Sequence, residues 1–267
     1  VRERMLERIP VVVQRGRRRG RVALARGLWA AAEITVTLGV VVLLLVVHQL
    51  WWTNRQAKEG AQRQVHALER EWGETTVPEA GAGDADLDPE ADAGSSTPEP
   101  AEQDGGGRRS NRAAAPRWDQ AYAVLRIPRL GVVAPVAQGV AKRGVLDKGY
   151  VGHYPGTAQP GQAGNFAVAG HRNTHGEPFR YINRLRNGDR IVVETRTGVF
   201  TYLVDKRLSQ TSARDGGVIA AVPRSVVKPG YGYSEPGYYV TLTTCTPEYT
   251  SKYRLVVWGK LTSMRPR

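Results

Sequence analysis

Hydrophobic positions fall into three patterns along this chain. Leu28 to Leu50 is a nearly unbroken apolar run of 23 residues, with Glu33 as its one charge. At about 1.5 Å per residue a helix of that length spans roughly 34 Å, enough to cross a bilayer's hydrocarbon core. Trp29 marks one end and Trp51-Trp52 the other, where aromatic belts belong. Residues 53–72 are mixed and fit a short juxtamembrane helix. From Gly73 to about Arg117 the chain is Ala, Gly, Pro, Glu, Asp and Ser, too poor in apolar surface to offset ordering entropy. Disorder is expected there, as a tether that lets a folded domain work away from the bilayer.

From Trp118 onward short alternating segments predict strands. They cover 122–127, 132–136, 165–170, 190–194, 198–204, 238–244 and 253–261, with one short helix expected over 177–185. Pro128 to Gly131, Asn187-Gly188-Asp189 and Arg196-Thr197-Gly198 read as turns. Many short strands with few helices predict an all-β barrel or sandwich. Ser209 to Pro236 stands apart as a long stretch without strand pattern, the kind of loop that is usually functional.

Charge sharpens the division. Nine arginines crowd residues 1–26, twelve acids crowd 69–104, and the part from 118 carries 21 Lys or Arg against nine Asp or Glu. Basic residues immediately before an apolar run are a topology signal, so the N-terminus is expected in the cytoplasm and everything after Trp52 outside. No small-x-small cleavage site follows the run, and the segment is read as an uncleaved anchor. The net charge of +13 carries no nucleic-acid-binding motif with it, so no nucleic-acid partner is expected. The predicted layout is a basic tail (1–27), an anchor (28–52), a juxtamembrane and acidic linker segment (53–117), a β domain (118–263) and a short tail (264–267).

The chemistry centres on Cys245, the only cysteine. A lone thiol cannot form an internal disulfide; it is either inert filler or a reagent. Cys245 closes a strand-like run, and Arg254 lies nine residues on, inside the next. If those strands pair antiparallel, the two side chains lie nearly opposite. A guanidinium there favours a thiolate and stabilises an oxyanion. Of five histidines, His48 and His66 fall in or beside the apolar run. His153, His171 and His175 remain; His171, at a strand end beside Gly170, is the preferred base and His175 the reserve.

The run Thr241-Leu242-Thr243-Thr244-Cys245, Arg254 nine residues on and Gly170-His171-Arg172 upstream resemble the sortase family. The segments from Gly170 to Phe179 and from Cys245 to Tyr249 are similar to class E sortases of high-GC Gram-positive bacteria. The resemblance covers about 118–263. It implies an eight-stranded sortase β-barrel and a cysteine transpeptidase that joins surface proteins to peptidoglycan. Cys245 would attack the Thr–Gly carbonyl of a C-terminal sorting motif, with Leu-Ala-x-Thr-Gly the class E preference. His171 would act as acid and base, and Arg254 would stabilise the oxyanion. The implied partners are surface proteins bearing that motif, a peptidoglycan precursor amine, and membrane lipid through the anchor. Thr244, Tyr154, Tyr150, Ile219 and Val222 are candidate substrate contacts. No cofactor is expected. Some class A members bind calcium near the long loop, but Asp215 and Glu235 are its only acids here, so no metal is expected.

Two other readings compete. L,D-transpeptidases place a histidine close to the nucleophilic cysteine, and Cys245 has none nearby in sequence. A non-catalytic, membrane-tethered basic module binding anionic wall polymers is the other, and Cys245→Ala separates it from an enzyme.

Overall fold

The computed structural model describes residues 16–74 and 117–267. They divide into two compact units at Trp52/Thr53. The linker expectation for 75–116 and most of the basic tail lie outside the described residues. Helix α1 runs from Gly16 to Glu74. In the first unit, its described side chains from Ala23 to Trp52 are exposed, as an apolar segment suited to lipid would be.

The second unit is a closed eight-stranded barrel in the order β1-β2-β3-β4-β7-β8-β6-β5. Its strands are β1 (Ala121–Ile127), β2 (Val132–Gln138), β3 (Val151–His153), β4 (Gly164–Ala169), β5 (Arg190–Thr195), β6 (Gly198–Ser212), β7 (Tyr238–Thr246) and β8 (Tyr253–Pro266). The pairs β2–β3 and β4–β7 are parallel and the other six antiparallel. Alternation along the strands builds the interior. Phe166 and Val168 of β4, Val240 and Leu242 of β7, and Leu255 and Val257 of β8 point inward. Their odd-and-even neighbours Thr241, Thr243 and Cys245, and Arg254, Val256 and Trp258, therefore face outward.

Several strand ends differ from the expectation. β3 has three residues, one of them glycine, and offered no alternation to read. β8 continues through 264–266, which had been expected as a tail, because those residues pair with Gly198–Phe200 of β6. The helix expected over 177–185 is a series of turns with one 3-10 turn, Ile182–Arg184. Phe179, Ile182 and Leu185 are buried at the expected spacing. However, Glu177 sits at φ 52°, in the left-handed region that does not start a right-handed helix.

The largest correction concerns residues 54–74. They form a helix whose face Ala57, Ala61, Val65, Leu68 and Trp72 is buried against the outside of the barrel. The spacing of four, four, three and four is one face of a helix. Beneath it lie Ala121, Val124, Ala137 and Val145, with Leu146 and Tyr150 at the edge. Burying Val65 and Leu68 contributes about 1.5–3 kcal/mol each. The edges are charged: Glu69 pairs with Arg126, which also binds Glu194 at 2.6 Å, and Arg267 stacks 4.6 Å from the Trp72 ring centre. These residues are part of the folded body and not of a spacer.

Candidate active site

The β4–β7 pairing brings the two key segments together. Its offset is constant, from Gly164↔Tyr238 to Ala169↔Thr243. Gly170 N donates to Thr243 O at 3.1 Å, and Thr244 Oγ1 donates to Gly170 O at 2.8 Å, so the pairing carries past the strand end. Continuing the same offset sets His171 level with Cys245. On the other side Cys245 pairs directly with Arg254. Three adjacent strands thus present one residue each, in a row, on the outer face of the barrel. Neighbouring strands are about 4.8 Å apart.

All three line one cavity of about 690 Å³, together with Tyr154, Thr243, Thr244 and Tyr249. Cys245 is a free thiol of intermediate exposure. The Tyr154 hydroxyl lies 3.0 Å from Thr243 Oγ1. Arg254 Nη1 donates to the carbonyls of Ser251 and Tyr253 at 2.9 and 3.0 Å, which fixes the guanidinium at the start of β8.

His171 has a partner that sequence reasoning missed. Its Nε2 lies 2.7 Å from Oδ1 of Asp147, on the 3-10 turn Leu146–Lys148 between β2 and β3. A carboxylate only accepts, so Nε2 carries the proton and Nδ1 is the free nitrogen. Burial lowers the His171 pKa below the usual histidine value; Asp147 opposes that shift, and His175 and Lys142 reinforce it. His175 stacks on His171 with ring centres 5.3 Å apart, but does not line the cavity. Asp147, His171 and His175 hold three ligand-type atoms within 4.8 Å of one another. The hydrogen bond already engages two of those atoms, and no metal is assigned.

Arg172, read in the sequence only as part of Gly170-His171-Arg172, takes a definite place here. Its side chain is 7% exposed, with Nη1 donating to Cys245 O at 3.2 Å and Thr246 Oγ1 at 2.9 Å, and Nη2 3.4 Å from Glu248. It ties the end of β7 to the segment that carries His171. Nothing local in the sequence marks Asp147, and the partners of Arg172 lie far along the chain.

The other candidates separate. His153 is fully buried and structural: it meets the Tyr122 hydroxyl at 2.8 Å and the Ala158 carbonyl at 3.1 Å. Tyr150 does not line the cavity, because it packs with the cluster beneath the juxtamembrane helix. Ile219 and Val222 lie in the long loop, which does cross the outer face of β7 and β8. They pack against the Trp258 cluster there and are not cavity residues. The loop's Asp215 is engaged by Thr211, Ser225 and the Val226 amide.

A closed eight-stranded barrel is typical of sortases, and Cys245, His171 and Arg254 line one cavity of it. The sortase domain model matches residues 125–262, and the chain belongs to the sortase family, whose members are cysteine transpeptidases. Its relatives place it with the class E sortases. Sortase SrtE1 of Streptomyces coelicolor is 43% identical over 243 residues, 89% of this chain and 58% of that protein. The chain therefore spans less than two thirds of that relative. Sortase SrtE2 of the same organism is 32% identical over 253 residues, 92% of this chain and 87% of that protein. The crystal structure of sortase E1 from Streptomyces coelicolor, with a tripeptide in its active site, superposes with a TM-score of 0.53 at 52% identity. It covers 57% of this chain and 94% of that one.

Proposed function

We propose that this protein is a membrane-anchored transpeptidase that cleaves a C-terminal sorting motif between Thr and Gly and joins the new carboxyl end to a wall amine. The observation that carries the reading is the row of His171, Cys245 and Arg254 along one cavity. The Cys245 thiolate attacks the Thr carbonyl carbon, and Arg254 supports the negative charge that develops on its oxygen. The Thr–Gly bond breaks, leaving a thioester on Cys245. Protonated His171 gives its proton to the departing glycine amine. The neutral imidazole then accepts a proton from the incoming peptidoglycan amine, which attacks the thioester and frees the Cys245 thiolate beside the restored imidazolium. Asp147 holds the ring so that Nδ1 makes these transfers.

Leu-Ala-x-Thr-Gly is the preferred motif in this reading, with Tyr154 and Thr244 touching the peptide. The apolar helical segment between Ala23 and Trp52 is a candidate single span. The reading puts the arginine-rich end in the cytoplasm and the barrel outside, and a reporter fused after residue 117 checks it. The decisive experiment is mass spectrometry of the enzyme with Leu-Ala-x-Thr-Gly and Leu-Pro-x-Thr-Gly peptides. A Cys245-linked acyl fragment ending at Thr, richer for the alanine peptide, is expected. No adduct with either peptide overturns the reading, and Cys245→Ala retaining full function would favour a binding module.

A further inference from the structure

We propose that the juxtamembrane helix is a positioning element of the active site, with Asn54 holding the segment that carries His171. This rests on His171 serving as the acid and base.

The helix reaches both halves of the Asp147–His171 pair. Asn54 Oδ1 accepts a hydrogen bond of 2.6 Å from the Gly176 amide, at the end of the segment that begins with His171 and includes His175. The stripe beginning at Ala57 covers Val145 and Leu146, and Leu146 shares the 3-10 turn of Asp147. Helix, turn and histidine segment meet at two glycines. Gly149 has φ +80°, and a Cβ there would lie 2.9 Å from the Ala57 carbonyl oxygen and 3.2 Å from that of His175. Gly176 has φ +82°, and a Cβ there would lie 3.4 Å from Lys58 N and 3.5 Å from the Gly149 Cα. At Gly149 the backbones leave no room for a side chain, whereas at Gly176 the contacts are ordinary and the left-handed φ is what favours glycine.

The consequence is mechanical. Asp147 and His171 stand on different loops, and their 2.7 Å contact keeps its geometry only while those loops keep their separation. The barrel ladder fixes Gly170 and Gly152 but does not extend to Asp147 or Gly176. The first turns of the helix span the two. Val65, Leu68 and Trp72 hold that helix down further along, in the cluster against which Leu146 packs.

The test uses the full chain in detergent micelles, with wild type, Asn54→Ala, Asn54→Asp and Leu68→Asp. Asn54→Asp keeps an acceptor oxygen for Gly176, whereas Asn54→Ala removes it. Amide exchange of residues 171–177 is measured by mass spectrometry, and kcat and KM are measured on the Leu-Ala-x-Thr-Gly peptide. Exchange of that segment should rise several-fold in Asn54→Ala and Leu68→Asp and stay near wild type in Asn54→Asp. With turnover present, kcat should fall about five- to tenfold in the first two while KM changes less than twofold, because aligning catalytic groups acts mainly on the chemical step. Unchanged exchange and kcat in both Asn54→Ala and Leu68→Asp, in folded protein, overturns the proposal. If wild type turns over no peptide yet the exchange changes appear, the support of this segment stands and the proposed reaction fails.

Discussion

His171 and Asp147 are joined by a 2.7 Å hydrogen bond between residues from two different loops. The bond engages Nε2 and leaves Nδ1 for other partners. It also opposes burial, which would otherwise lower the His171 pKa further. Asp147→Asn should reduce kcat by about tenfold or more, within the range that general acid–base groups supply. The sign of the pH effect follows from the lost carboxylate: the imidazolium is less stable, so the His171 pKa falls. The alkaline limb of kcat/KM, where the protonated acid is lost, should move to lower pH. An unmoved limb would remove Asp147 from the mechanism.

Arg254 faces Cys245 across the β7–β8 ladder, and the oxyanion role proposed for it depends on a planar fork of donors. Arg254→Lys keeps the charge but not the fork, and should lower kcat by about 10²-fold, as loss of an oxyanion donor does. Stopped-flow acylation with the sorting peptide measures it. A near-normal rate would show that charge alone suffices.

Asp215 is 4% exposed and gathers Thr211, Ser225 and the Val226 amide, which folds the long loop over the Trp258 cluster. Asp215→Ala leaves those donors without a partner at about 1–3 kcal/mol. Thermal melts should show a lower Tm, and proteolysis should begin within residues 213–237.

His153 gives a stability prediction with a definite pH window. Its pKa is lowered from 6.5 to about 4, chiefly by burial. Between those values the unfolded chain binds a proton that the folded chain refuses. Stability is therefore full above about 6.5 and falls as the pH drops toward about 4, by on the order of 3 kcal/mol. Urea melts across that range check it, and His153→Gln should flatten the slope.

What could be read from sequence followed what is local. Strand alternation from 122 to 261 is a nearest-neighbour property, and seven of the eight strands were legible from it. Cys245 and Arg254 belong to consecutive strands, so their pairing needed only a short connection. His171 was preferred for its place at a strand end beside Gly170, then by motif resemblance, and the parallel β4–β7 register supplies the physical basis. The Asp147 contact and those of Arg172 could not be read because the partners are 24 and 73 or more residues away. The stripe Ala57, Ala61, Val65, Leu68, Trp72 was present in the sequence. It went unread because alanines weaken the apolar signal and polar residues surround them.

The row across β4, β7 and β8 also determines where this chain tolerates changes in length. One residue inserted within 164–170 would turn His171 to the barrel interior while the sheet stayed closed, because alternate residues face opposite ways. An insertion between Thr243 and Cys245 would do the same to the Cys245 thiol. The bend at 196–197, by contrast, joins β5 to β6, strands that contribute nothing to the row. Growth there leaves the three groups in line, so the molecule has one rim that must keep its count and another that is free to lengthen.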